Sequence, residues 1–197
     1  HTFRKSVSTG GEPLKTWKFR RKPEPRDLVI LHDVSHSMTF NNPLLIRFTR
    51  GLARRLKTSE VFVFHTRLFP ATAIFREKTL YRMREALEGN NRLWLGGTCI
   101  ADSLLEFREN HAGKILNPGS IVMIISDGFD SNNPGQLASE LKWIKSRCNK
   151  VVWLNPMLER QGFNADKDEV WNIRRNVDHL LPAHSLEALR NSIRMIR

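Results

Sequence analysis

Three short polar segments contain side chains whose types and spacing could bind a metal ion. They are Asp33-Val34-Ser35-His36-Ser37, Gly97-Thr98 and Ser126-Asp127-Gly128. Their side chains contain almost no nitrogen or sulfur, and the candidate ligands among them are two carboxylates and three hydroxyls: Asp33, Asp127, Ser35, Ser37 and Thr98. Oxygen ligands of this kind suit a hard cation, Mg²⁺ or Mn²⁺, and Mg²⁺ usually keeps several waters. Such a metal would have a coordination position open for an incoming acidic side chain.

The segments stand where a sheet would bring them together. Residues 28–31 and 121–125 are continuous apolar runs, typical of strands that are buried on both faces, and each run is followed by one of the polar segments. Gly97-Thr98 precedes a helical pattern. In open α/β sheets, ligands bind beyond the carboxyl ends of the strands, near the point where the strand order reverses. We therefore expect the three segments to meet at one edge of a sheet.

The remaining elements alternate between strand and helix. Further strands are predicted at 60–64, 67–75, 151–154 and 177–181, with the second of these near an edge because Pro70 cannot donate to a ladder. Helices are predicted from Pro43 and at 79–87, 136–146 and 170–175, and after a capping Ser185. This alternation predicts an α/β fold, doubly wound, with a mostly parallel central sheet and helices on both faces.

The order of the three motifs resembles a known family. D-x-S-x-S after a buried strand, then Gly-Gly-Thr, then S-D-G after another buried strand, is similar to the metal-ion-dependent adhesion site (MIDAS) of von Willebrand factor A (VWA) domains. The similarity runs from about residue 28 to the end of the chain. It implies a VWA/Rossmann-like fold, in which Ser35, Ser37 and Thr98 contact the metal directly or through water. Asp33 and Asp127 would contribute carboxylates.

A narrower resemblance is to the CoxE-like group. It rests on S-T-G-G-E-P at 8–13, D-V-S-x-S-M at 33–38, W-L-G-G-T at 94–98, V-V-W-L-N-P at 151–156 and L-P-A-H-S-L at 181–186. The group is similar to maturation factors of carbon monoxide dehydrogenase that work with MoxR-type AAA+ ATPases. The resemblance implies an adaptor that links such an ATPase to a client protein offering an acidic side chain.

One residue departs from that pattern. The family usually has glycine where this chain has His36, and glycine gives the loop freedom and space. The imidazole could be a further metal ligand, a bridge to the partner or an outward-pointing side chain.

Charge and composition suggest the domain organisation. The 197 residues carry a net charge of +12, and residues 1–26 contain eight Lys and Arg against two Glu. We therefore divide the chain into a basic extended arm, 1–26, and a VWA domain, 27–197. The two cysteines, Cys99 and Cys148, are predicted to be free thiols in a reducing compartment. With no apolar run near the ~20 residues of a membrane span, we expect a cytoplasmic protein.

Two other classes of function have some support in the sequence. The sequence has no G-x-S-x-G elbow and no P-loop, so we predict that the chain is not an enzyme; a metal-dependent hydrolase using the same loops is the alternative. The basic arm would also suit a nucleic-acid-associated protein, although no zinc finger or RNP motif is present. Trp143, Trp153 and Trp171 are predicted in the core, and Trp94 as a contact residue.

Overall fold

The structure, a computed structural model, describes residues 27–35, 38, 43–89, 99–129, 134–159 and 168–194. The arm at 1–26, together with His36, Ser37, Trp94 and Thr98, lies outside these residues, so the predictions made for them stay predictions. Six strands are described: β1 (Leu28–Asp33), β2 (Glu60–Phe64), β3 (Leu68–Pro70), β4 (Ile121–Ile125), β5 (Lys150–Asn155) and β6 (His179–Pro182).

Helices connect the strands. They are α1 (Pro43–Arg55), α2 (Thr72–Phe75), α3 (Leu80–Glu88), α4 (Ile100–Phe107), α5 (Pro134–Lys145), α6 (Asp168–Asn176) and α7 (Leu186–Arg194). After α4 the chain passes through a wider π turn at Arg108–Ala112 and a last helical turn at Gly113–Ile115. Thr79 caps α3 by accepting a hydrogen bond from the Arg82 N–H, and Ser185 caps α7 in the same way through the Ala188 N–H.

The sheet has the order β3-β2-β1-β4-β5-β6. All neighbouring strands are parallel except β3, which pairs antiparallel with β2 at one edge. The chain moves from β1 outward to β2 and β3, then returns to place β4 on the other side of β1. The strand order therefore reverses between β1 and β4. This arrangement confirms the predicted doubly wound α/β fold.

Alternate residues of each strand point into two separate cores. In β1, Leu28 and Ile30 join one hydrophobic cluster, while Val29 and Leu31 join the other. Helices α1, α2, α3 and α7 pack on the first face, and α4, α5 and α6 pack on the second. Because both faces are covered, the strands can be apolar at every position, which is why their sequences are continuous apolar runs.

Two of the predicted features need correction. The strand expected at 67–75 ends at Pro70, and Thr72–Phe75 forms a helical turn instead. Trp171 was predicted in the core but is 52% exposed, because it lies on the outer side of α6. Trp153 is fully buried as predicted, and Trp143 is partly buried against the second core.

Each edge strand ends in a proline. Pro70 is the last residue of β3, and Pro182 is the last residue of β6, where it pairs with Asn155. A proline has no N–H to donate, so it is tolerated at an edge but not inside a sheet.

Candidate metal-binding site

The first half of the candidate site begins at the carboxyl end of β1. Asp33 is the last residue of this strand and is 1% exposed. In the register of β1 and β4, His32 pairs with Ile125, so Asp33 and Ser126 come next on their two strands. We call residues 33–35 the β1 loop and residues 126–129 the β4 loop. The two loops therefore start side by side at the point where the strand order reverses.

Both carboxylate oxygens of Asp33 accept hydrogen bonds. The Ser35 N–H donates to Oδ1 over 2.8 Å, which closes a tight turn within the β1 loop. The Ser126 hydroxyl donates to Oδ2 over 2.7 Å and joins the two loops. Asp33 is thus held from both sides, with its charge at the centre of a small buried polar network.

The electrostatics of this network disfavour a second negative charge. Burial raises the pKa of Asp33 to about 6, and the nearby Asp127 carboxylate raises this pKa further by a smaller amount. The hydrogen bonds from Ser35 and Ser126 act in the opposite direction on the same pKa. Among the described residues, the groups that shift it include no Lys or Arg. A divalent cation would relieve the repulsion between the two carboxylates.

The second half of the site, the β4 loop, is held by the neighbouring strand β5. The Trp153 indole N–H donates to the Ser126 carbonyl over 2.9 Å, and the Asn155 amide donates to the Asp127 carbonyl over 2.8 Å. The side-chain oxygen of Asn155 accepts in turn from the N–H groups of Met157 and Leu158. Asn155 is fully buried, so these hydrogen bonds fix the backbone around Asp127.

Gly128 lets the β4 loop turn sharply after Asp127. Its φ is +84°, in the left-handed region that side chains disfavour. A Cβ at this position would lie 2.7 Å from Cδ1 of Ile173 on α6. The Gly128 N–H donates to the Ser126 hydroxyl oxygen over 3.1 Å. The glycine of the S-D-G motif is therefore required both by backbone conformation and by space.

A buried histidine lies directly before the site. His32 is 3% exposed, and its Nδ1 is 3.0 Å from the hydroxyl of Thr49 on α1. Burial lowers the pKa of His32 to about 4, so the ring is neutral at physiological pH. His32 therefore ties β1 to α1 as a neutral hydrogen-bonding group.

Three of the five predicted ligands lie in the described part of the site. The structure brings Asp33, Ser35 and Asp127 to one edge of the sheet, and all three are nearly fully buried. Ser37 and Thr98 lie outside the described residues. Within those residues, no three His, Cys, Asp or Glu side chains come together as a metal site. A metal here would therefore need hydroxyl or water ligands beside the two carboxylates, and this donor set fits a hard cation.

Sequence reasoning missed the residues that hold the ligands in place. Ser126 was part of a motif but was not recognised as the bridge to Asp33. Asn155 directly follows a predicted strand next to a proline, and a polar side chain at that position was the available signal. Trp153 is predicted in the core because it lies in an apolar run, and nothing in the sequence points to the bond from its indole N–H.

The sequence match decides the family. Residues 1–189 match the family described as VWA domain containing CoxE-like protein. The chain belongs to this family. The predicted resemblance is confirmed, and the match includes the basic segment at 1–26. No functionally curated protein matches this CoxE-like chain.

Solved structures share the VWA fold at low sequence identity. Proximal thread matrix protein 1 from the mussel byssus, in a form with a zinc-occupied MIDAS motif, is 20% identical with a TM-score of 0.57; the alignment covers 87% of this chain and 46% of that one. The CoxE-like chain thus spans about half the length of the mussel protein.

Two further structures extend the comparison to other organisms. The manganese-loaded TRAP protein of Plasmodium vivax is 16% identical with a TM-score of 0.53, covering 88% of this chain and 72% of that one. BatB from Bacteroides thetaiotaomicron is 14% identical with a TM-score of 0.53, covering 86% and 95%. At these identities the likeness establishes the fold alone. None of the described helices is long and apolar enough to cross a lipid bilayer.

Proposed function

We propose that this CoxE-like protein binds partner proteins through a Mg²⁺ or Mn²⁺ ion held at the carboxyl ends of β1 and β4. The observation that carries the proposal is a pair of buried carboxylates, Asp33 and Asp127, close enough for the charge of Asp127 to raise the pKa of Asp33. The Ser35 and Ser126 hydroxyls both bond to Asp33. Two buried acids that repel each other are costly to keep unless a cation compensates them. The metals of the mussel and Plasmodium VWA structures support a cation at this edge.

The metal would bind its partner through an acidic side chain. Asp33, Ser35 and Asp127 would hold the ion together with Ser37 and Thr98, which the family resemblance adds. Since Mg²⁺ keeps exchangeable waters, a carboxylate of the partner can replace one and complete the coordination shell. This makes the site a binding device, and we assign the chain no catalytic activity of its own.

The CoxE-like family points to the partners. We propose a cytoplasmic adaptor that pairs with a MoxR-type AAA+ ATPase and directs it to a metalloenzyme such as carbon monoxide dehydrogenase. The ATPase would supply the force for maturation or remodelling, and the metal site would grip an acidic side chain of the client. The support is the family match over residues 1–189 together with the geometry of the two loops.

Metal binding is the first test. Titration calorimetry with Mg²⁺ and Mn²⁺ would compare the wild type with Asp33→Asn and Asp127→Asn. The amide keeps the size of the side chain but removes its charge, so we expect affinity to fall at least about tenfold, as for loss of a charged ligand. Glu187→Gln, an exposed change in the first turn of α7, is the matched control and should bind metal like the wild type.

Partner binding is measured next, with a purified MoxR-type ATPase. Capture of the ATPase should require the metal and be lost in Asp33→Asn, while circular dichroism shows that the variant is folded. Capture that survives both chelation and the Asp33→Asn change would contradict the proposal.

A further inference from the structure

The charge of the protein is concentrated in two places. The arm at 1–26 holds half of the +12 surplus, and residues 43–89 hold the other half, with ten Lys and Arg against four Glu. This second segment includes α1, α2 and α3, which cover one face of the sheet. That face therefore attracts acidic partners, whereas the opposite helical layer does not carry this excess.

A groove of about 400 Å³ lies between α1 and α3 on this basic face. Its apolar lining comes from Ile46, Met83 and Leu80, of which Met83 is fully buried and Leu80 is 36% exposed. The exposed guanidinium groups of Arg47 on α1 and Arg84 on α3 also line it. An apolar floor between two cations is complementary to a peptide with an apolar side chain flanked by carboxylates.

The groove is held in shape by hydrogen bonds and by the core. The Arg50 guanidinium donates to the carbonyls of Glu77 and Lys78 over 2.7 and 2.8 Å, which ties α1 to the segment that leads into α3. Below the groove, Ile46 and Met83 belong to the same hydrophobic cluster as Val34 of the β1 loop. The groove is therefore a preformed feature, and little ordering free energy would be lost when a ligand enters it.

The groove and the candidate metal site lie toward the same end of the sheet. Pro43, the first residue of α1, lines the groove. Because α1 connects the parallel strands β1 and β2, it starts at the end of the sheet where β1 ends. A partner that places one carboxylate at the metal could extend along α1 into the groove. The groove itself needs no metal, so its binding can be measured separately.

The positive charge and the apolar floor of the groove distinguish between possible occupants. The arm at 1–26 is basic and would be repelled by Arg47 and Arg84. Nucleic acid would be attracted by the two cations, but the apolar floor between them offers its phosphates no contact. Successive bases stack on several aromatic rings, and among the described residues that line the groove Tyr81, 76% exposed, is the one aromatic ring. We propose that the α1–α3 groove is a docking site for an acidic segment of a partner protein, anchored by an apolar side chain.

Tyr81 makes the proposal directly measurable. It is the only tyrosine in the 197 residues, so 3-fluorotyrosine incorporation gives the full chain a single ¹⁹F resonance at the groove. The probe is a short synthetic peptide in which Asp and Glu surround a central Leu-Phe pair. Adding it should shift the Tyr81 resonance, with and without EDTA, and the apparent affinity should fall as salt is raised.

Charge reversal identifies the residues responsible. In Arg47→Glu/Arg84→Glu the peptide affinity should fall at least about tenfold, because both rim cations now repel the ligand. Arg174→Glu/Arg175→Glu makes the same change of charge at two exposed positions on α6, across the sheet, and should alter the affinity less than about twofold. Leu80→Ser tests the apolar floor and should also weaken binding while leaving the charge unchanged.

Each outcome supports or overturns the docking site. A shift that disappears only in the α1–α3 variants supports it. No shift in the wild type overturns it, as does equal weakening by the α6 pair, which would mean that net charge alone attracts the peptide. An oligonucleotide of equal charge that moves the Tyr81 resonance as strongly as the peptide would assign the face to nucleic acid instead. The shift is also measured in EDTA, where no metal is bound. A negative result there would contradict the groove proposal alone, and a failure to bind metal would contradict the metal proposal alone.

Discussion

The β1 loop and the β4 loop form the two halves of the candidate site, and the protein holds them in different ways. The β1 loop is closed by the Ser35 N–H, which donates to Asp33, and is tied to β2 by the Val34 N–H, which donates to the Phe64 carbonyl over 2.9 Å. The β4 loop is fixed by two buried side chains of β5, Trp153 and Asn155. A hydrogen bond from Ser126 to Asp33 joins the halves. Backbone contacts shape the β1 loop, whereas the β4 loop depends on the side chains that its neighbouring strand provides.

The largest effect is expected where the β4 loop is most constrained. Gly128→Ala would place a Cβ against Ile173 and force a side chain into the left-handed region, so the free energy of unfolding should fall by about 3 kcal/mol. Ile173→Val removes the Cδ1 atom that would clash and should recover part of this loss in the double variant. Urea denaturation of the wild type, the two single variants and the double variant measures the coupling free energy between the two substitutions. Additive effects would show that the clash is not what makes Ala unfavourable.

The next prediction compares the two loops directly. Asn155→Ala would leave the Asp127 carbonyl and the N–H groups of Met157 and Leu158 without their buried partner, and should cost about 2 kcal/mol. Ser35→Ala removes the hydroxyl's hydrogen bond to Asp33 but keeps the backbone bond, and should cost about 1.5 kcal/mol. Thermal unfolding checks both variants. If Ser35→Ala were the more damaging, side-chain bonds would matter more in the β1 loop than in the β4 loop.

The smallest effect concerns the bond between the halves. The folded-state pKa of Asp33 is about 6, above its ordinary value, so the folded protein binds this proton more tightly than the unfolded chain does. The protonated carboxyl therefore adds to the free energy of unfolding at low pH, and this addition is lost as the pH rises through 6. The Ser126 hydroxyl stabilises the ionised carboxylate, so Ser126→Ala should raise the Asp33 pKa further. The cost of the substitution should be about 1 kcal/mol at pH 7 and should shrink below pH 6.

This pH dependence is measured on metal-free protein by urea denaturation between pH 4 and 7, a range chosen to span the pKa of about 6. Asp33→Asn is the control, since it has no charge to titrate and should remove the effect. A cost of Ser126→Ala that stays constant across this range would show that Ser126 does not act through Asp33.

Much of the fold could be predicted because burial on both faces leaves a clear pattern. Residues 121–125 are apolar at every position, and the strand there has these bounds. The strand at 67–75 was wrong because Thr72 to Phe75 are also acceptable in a strand. Tertiary contact decided the outcome: the Thr72 hydroxyl accepts from the Val61 N–H and donates to Glu60, which turns the chain away from the sheet. A sequence pattern cannot show such a contact between distant residues.

Only part of the candidate site could be predicted, and for the same reason. Asp33 and Asp127 follow apolar strands, so their shared edge could be inferred from the parallel sheet. The supports from β5 could not, because Asn155 is adjacent to the site only through the strand order, with β5 beside β4. Trp171 shows the opposite error: its apolar character suggested burial, but the helical face on which it lies points outward.

The two prolines at the sheet edges affect how this protein can self-associate. A free strand edge is a template on which another chain can grow a sheet, and that reaction leads to aggregates and fibrils. Pro70 and Pro182 each remove a donor from an edge strand, and β3 is only three residues long. Addition of a foreign strand is disfavoured at both ends of the sheet. The described sheet is thus protected against polymerising through its own backbone.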